Sequence, residues 1–372
     1  MMGGGSAGAS TAIALAKSGA VVLLVERRAG CRVTFGESLP PSVRPLLHQL
    51  GIWDAFLATE PRPCYGNRSA WGGDGRVVAY DFILDRNGHG WHIDRGSFEA
   101  MLQAAAVRAG AGLLRGTRID EIDRDAGGQW RVQLSGPGGQ SVAAASFVVD
   151  ASGRAATFGR RQGSRRQRFD RLVASTAFLD RAGGRSCEGV TLVEAVPEGW
   201  WYSAPVPDGR LAVAFFTDAD LEAARLARTE NGWWSLLSAS RSTRERIEEC
   251  GTRLTETPRI VAAGSSVLGR VTGDGWLAVG DAAATHDPLS SHGIGAALDG
   301  GLRAASAVLA HLDGDVDMLT RYAAQLFEAY ARYLLLWRSS YAEERRWPDA
   351  PFWRRRHNVA QSRVFTPATI DG

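Results

Sequence analysis

The feature that most constrains this chain is its beginning. Gly3-Gly4-Gly5-Ser6-Ala7-Gly8 runs into an apolar helical pattern that continues to about Ser18, and Gly19 stops it. Val21 to Val25 follows as a short apolar run with several β-branched residues, suited to a strand of a parallel sheet covered on both faces. Glu26 comes directly after it. Gly3, Gly5 and Gly8 allow a tight turn and close backbone approach to a pyrophosphate, while the helix start offers unpaired N–H groups to phosphate. Glu26 is then placed to accept from ribose hydroxyls. A merely flexible glycine-rich terminus would not have helix, strand and acid in register. The strand that should precede the glycines is missing, because only Met1 and Met2 stand before them. A native chain that starts further upstream is the expectation; a sheet without its central strand would hold a cofactor poorly.

With 372 residues, one large domain or two intimate ones are expected. No apolar run reaches the roughly 18 residues needed to cross a bilayer, and Met1 to Ser10 lacks the pattern of a signal peptide, so the protein reads as cytoplasmic. Cys31, Cys64, Cys187 and Cys250 form no CxxC pair, which points to reduced, mostly buried thiols and away from zinc or dithiol redox centres. Lys17 is the sole lysine; every other cation among the 43 Lys+Arg is arginine. Arginines gather at Arg160, Arg161, Arg165, Arg166 and Arg168 and at Arg354 to Arg356. These read first as solvated surface, then as a dock for an acidic partner. Nucleic acid is disfavoured, because the net charge is only +3 and no binding motif accompanies the clusters.

Further along, residues 38–58 read as a Pro-started helix with Leu46, Leu47, Leu50 and Ile52 apolar, and residues 69–93 as short strands. Ser97 to Ala109 is an amphipathic helix with Ser97 as its N-cap. Phe147 to Asp150 is another short apolar strand, ending at Ala151-Ser152-Gly153. Residues 172–218 alternate apolar and polar, and Pro207-Asp208-Gly209 marks a turn between two strands of an antiparallel sheet. Helix returns over 219–250, near Gly293 and from Asp317 to Tyr341, and Trp276 to Val279 is a strand leading into Gly280-Asp281.

A second signal lies more than 270 residues from the glycines: Val279-Gly280-Asp281-Ala282-Ala283-Ala284, then Asp287-Pro288-Leu289-Ser290-Ser291-His292-Gly293-Ile294-Gly295. A carboxylate at a strand end can accept from a sugar-alcohol chain, a proline loop is stiff, and a helix start offers donors and positive dipole to a ring that becomes anionic on reduction. Asp281 serves equally as a plain N-cap on this reading. Together the glycine fingerprint, Asp150-Ala151-Ser152-Gly153 and the Gly280 to Gly295 block resemble the FAD-dependent monooxygenase and tryptophan halogenase superfamily, of the para-hydroxybenzoate hydroxylase fold. The resemblance implies an α/β architecture: a Rossmann-type FAD-binding domain (1–60, 90–160 and 260–312), an inserted antiparallel-sheet substrate domain (61–89 and 161–259) and a C-terminal helical tail (313–372). It implies that Gly3, Gly5, Gly8, Glu26, Arg95, Asp150, Asp281, Pro288, Gly293, Ile294 and Gly295 contact FAD. No second GxGxxG marks a nicotinamide site, which fits electrons from NAD(P)H directly or through a flavin reductase.

Gly36-Glu37-Ser38-Leu39-Pro40-Pro41 and Gly199-Trp200-Trp201-Tyr202-Ser203-Ala204-Pro205 look like the halogenase-related branch, though Tyr202 and Ala204 depart from its WxWxIP pattern. Halogenases of this kind use an active-site lysine to direct hypohalous acid, and Lys17 sits on the pyrophosphate helix, so halogenation is disfavoured. A nearer likeness is to the flavoproteins that mature quinone-containing amino-acid oxidases, carried by Gly36 to Pro41, Asp287 to Gly295 and the tail Arg345 to Trp353. The reading is an FAD-dependent monooxygenase that hydroxylates an aromatic ring through a flavin C4a-hydroperoxide. The ring belongs to a small molecule or to a tryptophan of a partner polypeptide. A dehydrogenase or reductase like the geranylgeranyl reductases is the alternative, and a flavin-binding assembly protein is a third. Trp200, Trp201, Tyr202 and Phe215 are expected to line the substrate pocket, or else to be ordinary sheet core. Glu37, His286 and His292 are candidates for proton transfer; Glu37 reads alternatively as a cap for the helix after Pro40, and the histidines as structural.

Overall fold

The computed structural model describes residues 1–30, 35–181, 187–250, 252–254, 256–291 and 293–359. His292 and Cys31 lie outside the described residues. The glycines open a helix over Ser6–Lys17, with Ser18 as C-cap and Gly19 at φ +83°, the left-handed conformation that ends it. The next strand is Leu23–Glu26, two residues later than expected; Val21 is fully exposed and stays outside it. It pairs in parallel with Gly112–Arg115, and Val148–Asp150 pairs in parallel with Trp276–Ala278. Between these two pairs lies Met2, bridged in parallel to both Val25 and Asp150. Met2 N donates to Val149 O at 2.9 Å, Gly3 N to Val25 O at 2.8 Å and Ala151 N to Met2 O at 2.9 Å. The two residues before Gly3 thus occupy the central position of the parallel sheet and aim the glycine turn.

The helix Gly293–Leu312 packs along the glycine-turn helix at very short range. A Cβ on Gly301 would meet Ser10 Oγ, and Ser10 Oγ donates to Leu298 O at 3.0 Å. Small residues at the contact are what bring the two stretches that sequence separates by 270 positions side by side. The helix expected over 38–58 is broken into Pro41–Val43, Arg44–Gln49 and Trp53–Leu57, because Gly51 takes φ +63°. The helix Arg95–Arg108 starts two residues before Ser97; its cap is Asp94, whose carboxylate accepts from Ser97 N at 2.7 Å.

The second layer is a sheet of eight strands. Its order is Thr252–Leu254, Leu172–Arg181, Leu211–Asp218, Gly199–Pro205, Thr191–Val196, Gly66–Ala70 and Val78–Asp81, with Arg259–Ala262 also paired to Leu172–Arg181. All pairings are antiparallel except Thr191–Val196 with Gly66–Ala70. The long helix Met318–Glu343 and the short Pro351–Val359 close the chain against this sheet. Trp353 Nε1 donates to Val196 O at 2.8 Å, and Arg356 pairs with the buried Asp218 at 2.9 Å. Cys187 and Cys250 are joined as a disulfide, with Cα atoms 5.3 Å apart, which corrects the expectation of reduced thiols at those two positions. The fold brings them together from 63 residues apart, a separation that carries no spacing signal. Cys64 is free and buried. No helix among the described residues is long and apolar enough to cross a membrane.

Candidate active site

A cavity of about 600 Å³ opens where the parallel sheet meets the antiparallel one. Its wall gathers Gly5 and Ser6 from the glycine turn, Glu37 and Ser38 from the loop after Phe35, Arg95, Asp281, His286, Pro288, and Gly293 and Ile294 from the start of the second helix. The aromatic part of the wall is Phe35, Phe178, Tyr202 and Phe216. Phe35 and Phe178 pack with ring centroids 4.9 Å apart.

On the cofactor side the geometry fits a dinucleotide. Gly3 has φ +105°, and a Cβ there would lie 2.4 Å from Ala151 O; a Cβ on Gly8 would lie 2.0 Å from Gly3 O. The turn is therefore closed to side chains on the inside and open at Gly5, where a Cβ would meet nothing nearer than Glu99 Oε1 at 3.9 Å. No side chain caps the helix at Gly5, so its first N–H groups face the cavity uncapped. Glu26 Oε2 accepts from Gly4 N at 2.8 Å and Oε1 from Arg28 N at 2.8 Å, which fixes the carboxylate at the strand end beside the turn. Arg95 reaches the same place, donating to Ser6 Oγ at 3.2 Å and to Glu99 Oε1 at 2.9 Å. Asp281 is half-exposed, with Arg154 3.6 Å from it, and lines the cavity. A Cβ on Gly293 would meet nothing within 4 Å, leaving the second helix start open as well.

Several expected cofactor residues stand behind the wall. Gly3 and Gly8 shape the turn from inside, and Gly295 faces Val43. Asp150 is buried, and its carboxylate is taken by the backbone N–H groups of Ser152, Phe158 and Gly159, each at 2.9 Å. It builds the loop that carries Arg154 instead of reaching the cavity.

The four aromatics expected in the substrate pocket divide by the pleat. Side chains alternate faces along a strand, and Trp201 pairs across with Phe215 while Trp200 pairs with Phe216. Trp201 and Phe215 point away from the cavity into a cluster with Trp233, 5.0 Å from Trp201. Trp200 is on the cavity side but covered: it stacks on Phe216 at 3.8 Å, and its Nε1 donates to Tyr341 Oη at 3.0 Å. Tyr202 lines the cavity, and Phe216 stands there in place of Phe215.

Glu37 is 1% exposed, and among the described residues neither carboxyl oxygen has a hydrogen-bond partner of good geometry. Burial pushes its pKa up to about 7; the nearby backbone N–H groups of Gly36 and Glu37 and the charge of Arg95 pull it back only in part. The capping role is not observed, since Pro40 at the start of Pro41–Val43 receives no side-chain cap. His286 lines the cavity with its ring 4.5 Å from that of Tyr333. Sequence reasoning passed over Asp287, which also lines the cavity and is 1% exposed. Its Oδ2 accepts from Trp337 Nε1 at 3.0 Å and Tyr341 Oη at 2.8 Å, its Oδ1 from Leu289 N at 2.9 Å, and its own N–H donates to Tyr333 Oη at 2.7 Å. An acid directly before the loop proline, followed by a helix rich in tyrosine and tryptophan, was the available signal.

A family profile described as tryptophan halogenase matches residues 81–366, and one described as FAD dependent oxidoreductase matches residues 1–160. The chain belongs to the tryptophan halogenase family. It is 28% identical to the putative FAD-dependent oxidoreductase LodB of Marinomonas mediterranea over 96% of both chains. The solved structure of CmlS, a flavin-dependent halogenase, superposes with a TM-score of 0.84 at 25% identity, over 95% of this chain and 66% of that one. The peptidyl tryptophan dihydroxylase QhpG, essential for tryptophylquinone cofactor biogenesis, superposes with a TM-score of 0.69 at 25% identity, over 95% of this chain and 77% of that one. The FAD-dependent oxidoreductase reading and the α/β fold of the family therefore hold for this chain. Membership does not choose between adding oxygen and adding halogen, because proteins of both activities share the scaffold.

Proposed function

We propose that this protein is an FAD-dependent monooxygenase that hydroxylates an aromatic ring, and that the ring is a tryptophan side chain of a partner polypeptide. The observation that carries the reading is Glu37, a buried carboxyl with no side-chain hydrogen-bond partner among the described residues, in a cavity walled by Phe35, Phe178, Tyr202 and Phe216 and continuous with the proposed cofactor cradle. Reduced FAD and O₂ supply the oxygen: one atom enters the ring, the other leaves as water, and two electrons and two protons are consumed. The glycine turn, Glu26 and Arg95 would hold the adenosine and pyrophosphate end. Asp281, Pro288 and the helix start at Gly293 would border the rest. Glu37, with a pKa of about 7, is suited to take up the proton that the hydroxylated carbon releases. The apolar wall excludes water from the reacting ring.

Halogenation is disfavoured by where the one lysine sits. Lys17 Nζ donates to Leu50 O at 2.6 Å, at the far end of the glycine-turn helix, and Lys17 is not part of the cavity wall. The likeness to QhpG supports the polypeptide substrate. The test is to supply the reduced FAD-loaded protein with ¹⁸O₂, chloride, bromide and a tryptophan-containing partner or indole surrogate. Mass spectrometry should find one ¹⁸O per modified ring and no halogen. A chlorinated or brominated ring, or a reduced one, would overturn the reading.

A further inference from the structure

The hydroxyls beside Glu37 are occupied with one another and with His92 Nε2. Ser38 Oγ lies 2.8 Å from Tyr202 Oη and 2.9 Å from Thr191 Oγ1, which lies 3.0 Å from His92 Nε2. Burial, with Arg246 and Arg62 nearby, holds His92 neutral, its pKa lowered to about 3. Arg95, the cation nearest in charge, spends Nε on Glu99 and Nη2 on Ser6. Gly36, at φ +118°, packs its Cα face against the Arg95 guanidinium, and Glu37 O accepts from Ile93 N at 2.8 Å. The Glu37 backbone is thereby fixed, and among the described residues neither of its carboxyl oxygens has a hydrogen-bond partner of good geometry. Two buried acceptor oxygens on a cavity wall call for a donor that arrives with the ligand.

We propose that Glu37 recognises a hydrogen-bond donor on the substrate ring, so that the cavity selects aromatics bearing a ring N–H or O–H over rings of the same shape without one. The inference rests on the aromatic-substrate reading above and deepens it. The donor is the indole N–H of a tryptophan side chain or the O–H of a phenol. A site built around a buried acceptor rejects the donorless analogue because the acceptor is then left unpaired, whereas shape alone barely separates the two.

The experiment titrates the oxidised, FAD-loaded protein with two probe pairs: 3-methylindole against 1,3-dimethylindole, and 4-methylphenol against 4-methylanisole. Binding is read by calorimetry and by the flavin absorbance change, without turnover. For at least one pair, methylating the donor should weaken binding about 10- to 100-fold, and the pair that shows the gap names the donor. Glu37→Leu should shrink that gap to within about threefold, and Glu37→Gln should keep part of it, since its amide oxygen still accepts. Equal binding of both members of both pairs by the native protein would overturn the proposal. So would failure of all four probes to bind, a gap that survives in Glu37→Leu, or loss of FAD from that variant, which would assign Glu37 to the cofactor. A halogenated product in the separate turnover experiment would sink the hydroxylase reading and leave this ligand preference standing.

Discussion

Replacing Tyr341 by Phe tests how the C-terminal helix holds the loop that borders the cofactor cradle. The ring stays, with its packing against Trp71, Trp337 and Trp353; one hydroxyl goes. That hydroxyl donates to Asp287 Oδ2 at 2.8 Å and accepts from Trp200 Nε1 at 3.0 Å. A hydrogen bond to a charged group contributes about 1.5–3 kcal/mol, and orphaning a buried indole N–H costs about 1–3 kcal/mol. The two share one atom and are not independent, so the expected loss is about 2–5 kcal/mol. Its pH dependence has a definite sign. Burial, with Asp170 adding repulsion, raises the Asp287 pKa to about 6, above the roughly 3.9 of an unfolded Asp. The folded state therefore favours the protonated form, and stability falls as pH rises through about 6. Removing a donor from the ionised form adds to that penalty, so Tyr341→Phe should cost most above pH 7 and less at pH 5. Urea unfolding of the FAD-free protein at both pH values measures it. A loss below about 0.5 kcal/mol at pH 8, the size of an ordinary surface substitution, would refute the argument that this hydroxyl secures the loop.

Three other outcomes are expected. Glu37→Gln should lower kcat/KM about 100-fold. In the native enzyme kcat/KM should climb with pH through about 7 as the carboxyl ionises, and that rise should vanish in the variant while FAD stays bound; an unchanged profile would remove Glu37 from the chemistry. Gly8→Ala places a methyl 2.0 Å from Gly3 O, and the forced opening of the turn should weaken FAD binding about 10- to 100-fold, measurable by flavin fluorescence quenching. Arg356→Met leaves the buried Asp218, among the described residues, with the 3.2 Å ion pair from Arg355 alone, so thermal unfolding should show a loss of about 2–4 kcal/mol. A neutral result would mean that the tail is not fastened by this pair.

The cofactor half of the molecule was legible because its requirements are backbone requirements. A glycine turn, a helix start and an acid at a strand end leave a sequence trace whatever surrounds them, and Gly5, Asp281, Pro288 and Gly293 meet in one cavity. Asp150 shows the limit: its motif marked the right loop, but the carboxylate satisfies backbone N–H groups 2, 8 and 9 residues on. Which aromatics face the substrate depends on strand register and on what covers the sheet. Trp200 has the correct parity yet is hidden under Phe216 and Tyr341, and Trp201 has the wrong one. The cap of Arg95–Arg108 was misplaced because Asp94 and Ser97 both suit it, and only geometry shows which accepts. The disulfide between Cys187 and Cys250 depends on tertiary proximity alone.

The division between the two halves bears on how one scaffold serves oxygen and halogen transfer. The groups proposed to hold the cofactor are main-chain donors and small residues, which tolerate little change: a Cβ at Gly3, Gly8 or Gly301 would overlap its neighbours. The groups proposed to face the substrate are side chains on a wall of sheet and loop, and each can be exchanged without moving the cradle. In this chain that wall carries a carboxyl at Glu37, a hydroxyl at Tyr202 and four aromatic rings, while its one lysine amine is tied to Leu50 O outside the cavity. On the proposed reading the substrate meets at this wall an acceptor that can take a proton and no lysine amine.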